Sequence, residues 1–370
     1  MKLKRIPWFD NIKGLLIFLV VFGHAIEVYR HTAGNESVKY LYDVIYFFHM
    51  PLFIIISGYF YRPNKFDRVV KLLSVFFIWQ LVHGILSKLI KEQAILTLTP
   101  EGRIFSIFEP YWTMWYLLGI VVWSVVTPYF LKLKHPVLIS IGLALLISYA
   151  ENVTGWFSLR KLVNFYPYFL IGYLLSEKQI LHTLSEKAKG LKSPVRWTAL
   201  AVLLVYLGGM LYYTQIPKGT EFLFMRESYS YFEWSFIKGA AFHVALYGLV
   251  VLLSISLFFL VPMNKKIPFF NHIGIYSVFV YLIHTNIIRV FRPMMPEEAA
   301  KNPALVISVG LLFALVLCWA VSLPIVRAVF KPLVEPSLNW LFKKDDTTSA
   351  DGKIPAMKSA LTDNGLTESK

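Results

Sequence analysis

A chain of 370 residues that is 56% hydrophobic and only 16% charged has too few polar side chains to coat a water-soluble particle, because soluble domains carry roughly a quarter charged residues. Its mean hydropathy of +0.57 and its long apolar runs point to an all-α, polytopic integral membrane protein. The formal charge of +15 reads as basic loops gathered on one side of a bilayer, not as a nucleic-acid surface, and the single cysteine, Cys318, leaves no intrachain disulfide and no cysteine-based metal site.

Lys2, Lys4 and Arg5 precede an apolar stretch at 12–30 that contains Lys13 and His24. It is longer than a signal-peptide core and lacks a small-x-small cleavage site, so it reads as a retained first helix. Further runs of spanning length lie at 41–61, 69–90, 112–131, 136–150, 162–176, 196–213, 236–261, 273–291 and 303–325. The fifth and sixth are short. About ten transmembrane helices follow, with N- and C-termini on the same side.

Alternate loops are basic. Arg62, Lys65, Arg68 and Lys71 follow the second run; Lys132 and Lys134 the fourth; Lys178, Lys187, Lys189, Lys192 and Arg196 the sixth; Lys265 and Lys266 the eighth; Lys343 and Lys344 the tenth. Basic loops resist translocation, which assigns this side, and both termini, to the cytoplasm. The opposite loops mix signs, as in Glu92, Glu101, Arg103 and Glu109, or Glu297, Glu298 and Lys301. The longest of them, 213–234, is rich in aromatic and acidic residues, among them Glu221, Phe222, Phe224, Tyr229, Tyr231, Phe232 and Trp234. It suits either a sugar-stacking surface or an interfacial aromatic belt. Residues 1–340 are expected to form the membrane domain, and the polar segment 341–370 a disordered cytoplasmic tail.

An ionisable side chain inside hydrocarbon is costly and asks for a use. Lys13 and His24 are eleven residues apart, which is three helical turns plus about 20° and a rise of about 16 Å. They therefore share one face of the first helix, a cation at the cytoplasmic end and a histidine in the outer half. Taken alone, Lys13 could snorkel and His24 could be a satisfied interhelical histidine. His49, His83, His243 and His284 fall near the middle or outer half of their runs, where histidine can serve as acid or base. No single helix carries a metal-ligand spacing, so no metal is expected. In the second run, Pro51 should kink the helix, and Gly58 in Ser57-Gly58-Tyr59 permits close approach of a backbone or a ligand. Trp115 and Tyr116 open the fourth run as belt or pocket lining.

These residues form a pattern. Asp10-Asn11-Ile12-Lys13-Gly14 followed by Val21-Phe22-Gly23-His24, then His49-Met50-Pro51-Leu52-Phe53 with Ser57-Gly58-Tyr59, resembles the acyltransferase-3 family of membrane O-acyltransferases. Trp115-Tyr116-Leu117 and Tyr281-Leu282-Ile283-His284 are similar to later family positions, and the resemblance covers about residues 8–325. The lysine at 13, where the family more often has arginine, is most similar to its fucose 4-O-acetylase-like branch. Lysine keeps the charge but loses the bidentate geometry for phosphate.

The resemblance implies transfer of an acyl group, usually acetyl, from cytoplasmic acyl-CoA to a hydroxyl of an envelope or secreted glycan, in a bacterial-type plasma membrane. On that reading Lys13, Arg62, Arg68, Ser57 and Tyr59 hold acetyl-CoA. His24 is the general base, His49 orients the reacting groups or donates to the oxyanion, and Trp115, Tyr116 and His284 line the pocket. The expected partners are acyl-CoA, a glycan acceptor and the lipid bilayer. A glycan or small-solute transporter with a histidine proton relay is the alternative class.

Overall fold

The computed structural model describes residues 6–63, 65–90, 109–153, 155–180 and 192–338, and every regular element among them is helical. The α-helices of eight residues or more are α1 (Pro7–Ile26), α2 (Glu36–Tyr59), α3 (Phe66–Ile90), α4 (Trp115–Phe130), α5 (Pro136–Tyr149), α6 (Leu159–Glu177), α7 (Lys192–Tyr213), α8 (Phe236–Leu260), α9 (Pro268–Ile275), α10 (Ser277–Phe291), α11 (Pro303–Val321) and α12 (Pro324–Val334). Helix is the only open solution for a backbone in hydrocarbon, since it pairs its own N–H and C=O groups. Proline opens α1, α5, α9, α11 and α12, where its missing N–H loses nothing and its fixed φ suits the first turn.

Each of the ten apolar runs falls on a helix or, for 273–291, on a broken pair. By length and composition, six of the described helices can cross a membrane, and seven if α9 and α10 count as one span. Helices α4 and α5 are apolar but shorter. The run at 273–291 is not one straight span: α9 and α10 meet at 86°, because Tyr276 takes up φ −108° and ψ 18°, outside the helical well. The last run stops at Val321, because Pro324 starts a new helix instead of continuing the old one. The tail expected at 341–370, Lys2, Lys4, Arg5, Lys187, Lys189 and the loop containing Glu92, Glu101 and Arg103 lie outside the described residues.

The described helices belong to a unit that runs to Pro336, and α1 is its axis. Only Pro7, Lys13, Leu15 and Leu19 of α1 escape full burial. Helices α2, α9, α10 and α11 surround it. In contrast, α7 buries only Ala199 and Met210 among its described side chains.

Two crossings fix the centre, and both use glycines reciprocally. A Cβ on Gly14 would overlap the Phe270 carbonyl, and one on Gly274 the Asp10 carbonyl. Where α2 crosses α6, a Cβ on Gly58 would overlap the Phe169 carbonyl, and one on Gly172 the Ile55 carbonyl. Lipid is as apolar as leucine, so helices in a bilayer associate through such backbone contact and dispersion. Asn11 strengthens the first crossing. Its Nδ2 donates to Lys265 O at 2.8 Å, and its Oδ1 accepts from Ile267 N at 3.1 Å and Asn271 Nδ2 at 3.2 Å.

Gly172→Ala should therefore force α2 and α6 apart and destabilise the purified protein by about 2 kcal/mol or more, the range for overpacked cores. Gly142→Ala, on a part of α5 with open space around it, should leave the melting temperature unchanged or slightly raised. Thermal unfolding of the two variants in one detergent checks this.

Candidate functional site

Glu27 sits in the 3-10 turn Glu27–His31, which continues α1 directly, so it lies one turn beyond His24. Its carboxylate is enclosed by donors. Arg292 Nη2 lies 2.7 Å from Oε2, Arg30 Nη1 3.8 Å from Oε1, and the Tyr42 hydroxyl donates to Oε1 at 3.3 Å. His24 Nδ1 is 3.3 Å from Oε2 and 2.9 Å from the Tyr46 hydroxyl. A carboxylate beside Nδ1 favours the tautomer with its proton there, which leaves the Nε2 lone pair for a substrate. Arg292 also donates to the His24 carbonyl at 2.8 Å, closing the end of α1, and lies 4.5 Å from the Trp112 ring centroid. The Trp112 ring is 4.8 Å from that of His24.

His24, Glu27, Tyr46, His49, Trp112, Trp115 and Lys161 line a cavity of about 130 Å³. Its cover comes from the 213–234 segment, through Leu223, Phe224 and Arg226. That segment is anchored from beneath. Thr220 Oγ1 donates to the fully buried Asp43 at 2.6 Å, Asn164 Nδ2 to Met225 O at 3.1 Å, and Tyr229 N to Ser148 O at 2.8 Å. Met225 (φ 51°) and Trp112 (φ 35°) both hold left-handed backbone conformations. Such strain in non-glycine residues gathers at sites that surrounding structure over-determines. Most aromatic residues of the segment stack on each other or on α8: Phe222 on Phe232 and Trp234, and Trp234 on Phe242. Only Phe224 among them reaches the cavity.

A second cavity, of about 510 Å³, is lined by Lys13, Ser57, Arg68, Lys71 and Tyr116. The two cavities share Val20, Met50 and Tyr281, so they meet at a waist formed by α1, α2 and α10. Lys13 pairs with Asp10 at 2.8 Å. The Ser57 and Tyr116 hydroxyls lie 2.7 Å apart. Tyr281 donates its hydroxyl proton to Thr113 O at 2.7 Å and stacks edge-on against Tyr116.

The residues singled out in the sequence divide as follows. His24, His49 and Trp115 line the smaller cavity; Lys13, Arg68, Ser57 and Tyr116 line the larger. His284 lies behind His24, its ring stacked at 5.6 Å. Arg62 and Tyr59 line neither cavity. Arg62 Nη1 donates to Tyr61 O at 2.8 Å and Ser176 Oγ at 3.3 Å, and Tyr59 stacks on Phe9 and Phe60. For His49 two roles were expected, orienting the reacting groups or donating to an oxyanion, and its hydrogen bond bears on the second. Its Nδ1 donates to Ile45 O at 2.7 Å, so the neutral ring presents Nε2 as an acceptor and has no proton there for an oxyanion. His284 is held in the same way, through Val280 O and Tyr281 O. Among the described residues, no three His, Cys, Asp or Glu side chains are grouped as metal ligands.

Comparison with known proteins adds a family. A family model described as an acyltransferase domain (acyltransferase 3) matches residues 6–323. Two curated proteins named nodulation protein NolL are similar. The one from Sinorhizobium fredii is 40% identical over 82 residues, which cover 19% of this chain and 22% of the relative. The one from Mesorhizobium japonicum is 28% identical over 182 residues, 46% of this chain and 47% of the relative. The chain thus spans less than half the length of these relatives. No solved structure matches.

Glu27, Tyr46, Lys161 and Arg292 did not stand out in the sequence. For Glu27 a signal existed, since it lies three residues after His24 and so on nearly the same helix face. The others reach the site from distant elements. The Glu27–Arg292 pair predicts a specific coupling. Arg292→Ala should leave a largely enclosed carboxylate without its nearest cation and destabilise the protein by about 2 kcal/mol. Adding Glu27→Gln should recover part of that loss. A double-mutant cycle on thermal unfolding tests it, and additive losses would show that the two side chains are not coupled.

Proposed function

The chain belongs to this acyltransferase family and is a multi-pass membrane acyltransferase, and from that premise we propose that it carries an acyl group, acetyl in the first instance, from acyl-CoA to a hydroxyl of an envelope or secreted glycan. The observation that carries the proposal is the pair of cavities meeting at Val20, Met50 and Tyr281, one with a carboxylate-backed histidine and the other with Lys13, Arg68 and Lys71. The Lys13 end is the cytoplasmic end of a bacterial-type plasma membrane, in keeping with the basic loops. Acyl-CoA enters there. Lys13, Arg68 and Lys71 hold its phosphates, and the pantetheine arm reaches along α1 past Ser57 and Tyr116 to put the thioester at the waist.

The acceptor occupies the smaller cavity. Its hydroxyl donates to His24 Nε2, and Glu27 holds the ring and stabilises the imidazolium as the proton arrives. The acceptor oxygen attacks the thioester carbonyl carbon, and the tetrahedral intermediate collapses with cleavage of the C–S bond. The CoA sulfur takes the proton back from His24, so the products are the ester and free CoA. His49 Nε2 accepts from another hydroxyl of the same sugar and fixes its orientation, instead of donating to the oxyanion. Trp115 gives the sugar a flat apolar face. His284 backs the His24 ring.

Membranes incubated with acetyl-labelled acetyl-CoA, followed by mass analysis of envelope glycans, test the proposal. His24→Ala should lower transfer by about 10²–10⁴, the usual share of general-base catalysis. Glu27→Gln should lower kcat by about 10² with little change in KM, because the ring keeps its place but loses its tautomer and counter-charge. Lys13→Ala should raise the KM for acetyl-CoA, and Lys13→Arg should restore it. Normal labelling by correctly folded His24→Ala would end the scheme.

A further inference from the structure

The charges around the smaller cavity do not balance. Glu27 is neutralised by Arg292 and Arg30. Arg226 Nε holds Glu227 Oε1 at 2.8 Å. Lys161, in the first turn of α6, faces the same cavity and is half-buried. Its ammonium lies 4.9 Å from the centroid of the Trp115 ring, and among the described residues no carboxylate comes within ion-pairing distance of it. Its neighbour Arg160 shows how a structural cation behaves here, donating to Ala150 O at 2.9 Å and to Ile147 O. One aromatic face returns only part of the hydration that an enclosed ammonium gives up. The first turn of α6 adds the positive end of a helix dipole to the same place.

Phosphates of the acyl donor do not account for Lys161. It lines only the smaller cavity, whereas Lys13, Arg68 and Lys71 line the larger one. We propose that the acceptor carries an anionic group, the carboxylate of a uronic acid or the phosphate of a glycosyl phosphate, and that Lys161 binds it while Trp115 stacks on the sugar ring. This rests on the acyl-transfer reading above, because it takes the smaller cavity as the acceptor site. Lys161 is then a specificity residue: it selects which glycan presents its hydroxyl to His24.

The test uses the detergent-purified full-length protein with D-glucuronate, D-glucose 1-phosphate and D-glucose as probes at matched ionic strength, read by thermal unfolding. One or both anionic sugars should raise the melting temperature of the wild type, and glucose should not; the stronger of the two identifies the source of the charge. Lys161→Gln should abolish the effect, Lys161→Arg should retain it, and Lys13→Ala should leave it unchanged. Equal stabilisation by glucose, or an undiminished effect in Lys161→Gln, overturns the proposal. With a responsive acceptor and acetyl-CoA, Lys161→Gln should raise the acceptor KM about tenfold and leave the acetyl-CoA KM unchanged. A rise confined to the acetyl-CoA KM also overturns it. A wild type that binds these anions through Lys161 yet transfers no acetyl group would uphold the anion site and overturn the acyl-transfer reading.

Discussion

A carboxylate beside hydrocarbon survives only if the protein itself supplies what water would have supplied. Glu27 is that carboxylate, and much of the site follows from satisfying it. Arg292 comes from the far end of α10 and Arg30 from the same turn, while Tyr42 comes from α2. Meeting this demand draws α1, α2 and α10 together at one level. The same contacts place Trp112 under the Arg292 guanidinium and hold His24 with Nδ1 turned to the acid. Ring orientation at His24 is therefore a by-product of solvating Glu27.

On the proposed reading, the two cavities serve one chemical requirement, that a charged, water-soluble donor and a sugar meet without water between them. The larger cavity is basic where Lys13, Arg68 and Lys71 reach it, and it narrows to Val20, Met50 and Tyr281. Two of those three are aliphatic or thioether side chains, suited to a thioester and poor partners for water. Beyond them the lining becomes polar again, with His24, His49 and Tyr46. If the proposed donor and acceptor bind there, an acyl group can be passed across such a waist while each stays on its own side.

Much of this was legible in the sequence where the signal is local. Long apolar runs had to become helices, and Lys13 and His24 had to share a face, because helical periodicity settles both. The Asp10–Lys13 ion pair is equally local, whereas the partners of Asn11 and Gly14 lie far along the chain at 265–271. The bend at Tyr276 was hidden because hydropathy averages across it. Arg292 did not stand out, since its pairing with Glu27 spans 265 positions. Lys161 did not stand out either, since the Trp115 ring it faces lies on another helix. Arg62 carried the right charge in the right loop, yet its guanidinium is tied to Tyr61 and Ser176. Charge and position along the chain do not say which way a long side chain points. The hydrogen-bonding role of His49 was not legible, because the carbonyl of Ile45 decides it.

The glycine crossings clamp α1 at Gly14, one residue from Lys13, and α2 at Gly58, one residue from Ser57. The interval from Lys13 to His24 is thus a ruler with its zero mark fixed. Adding or removing one residue within it would turn His24 by about 100° and move it by about 1.5 Å along the axis, away from Glu27 and out of the cavity. Gly14 apart, apolar side chains along that stretch can be exchanged for others of like volume, but its number of residues cannot, because here length and phase are a single quantity.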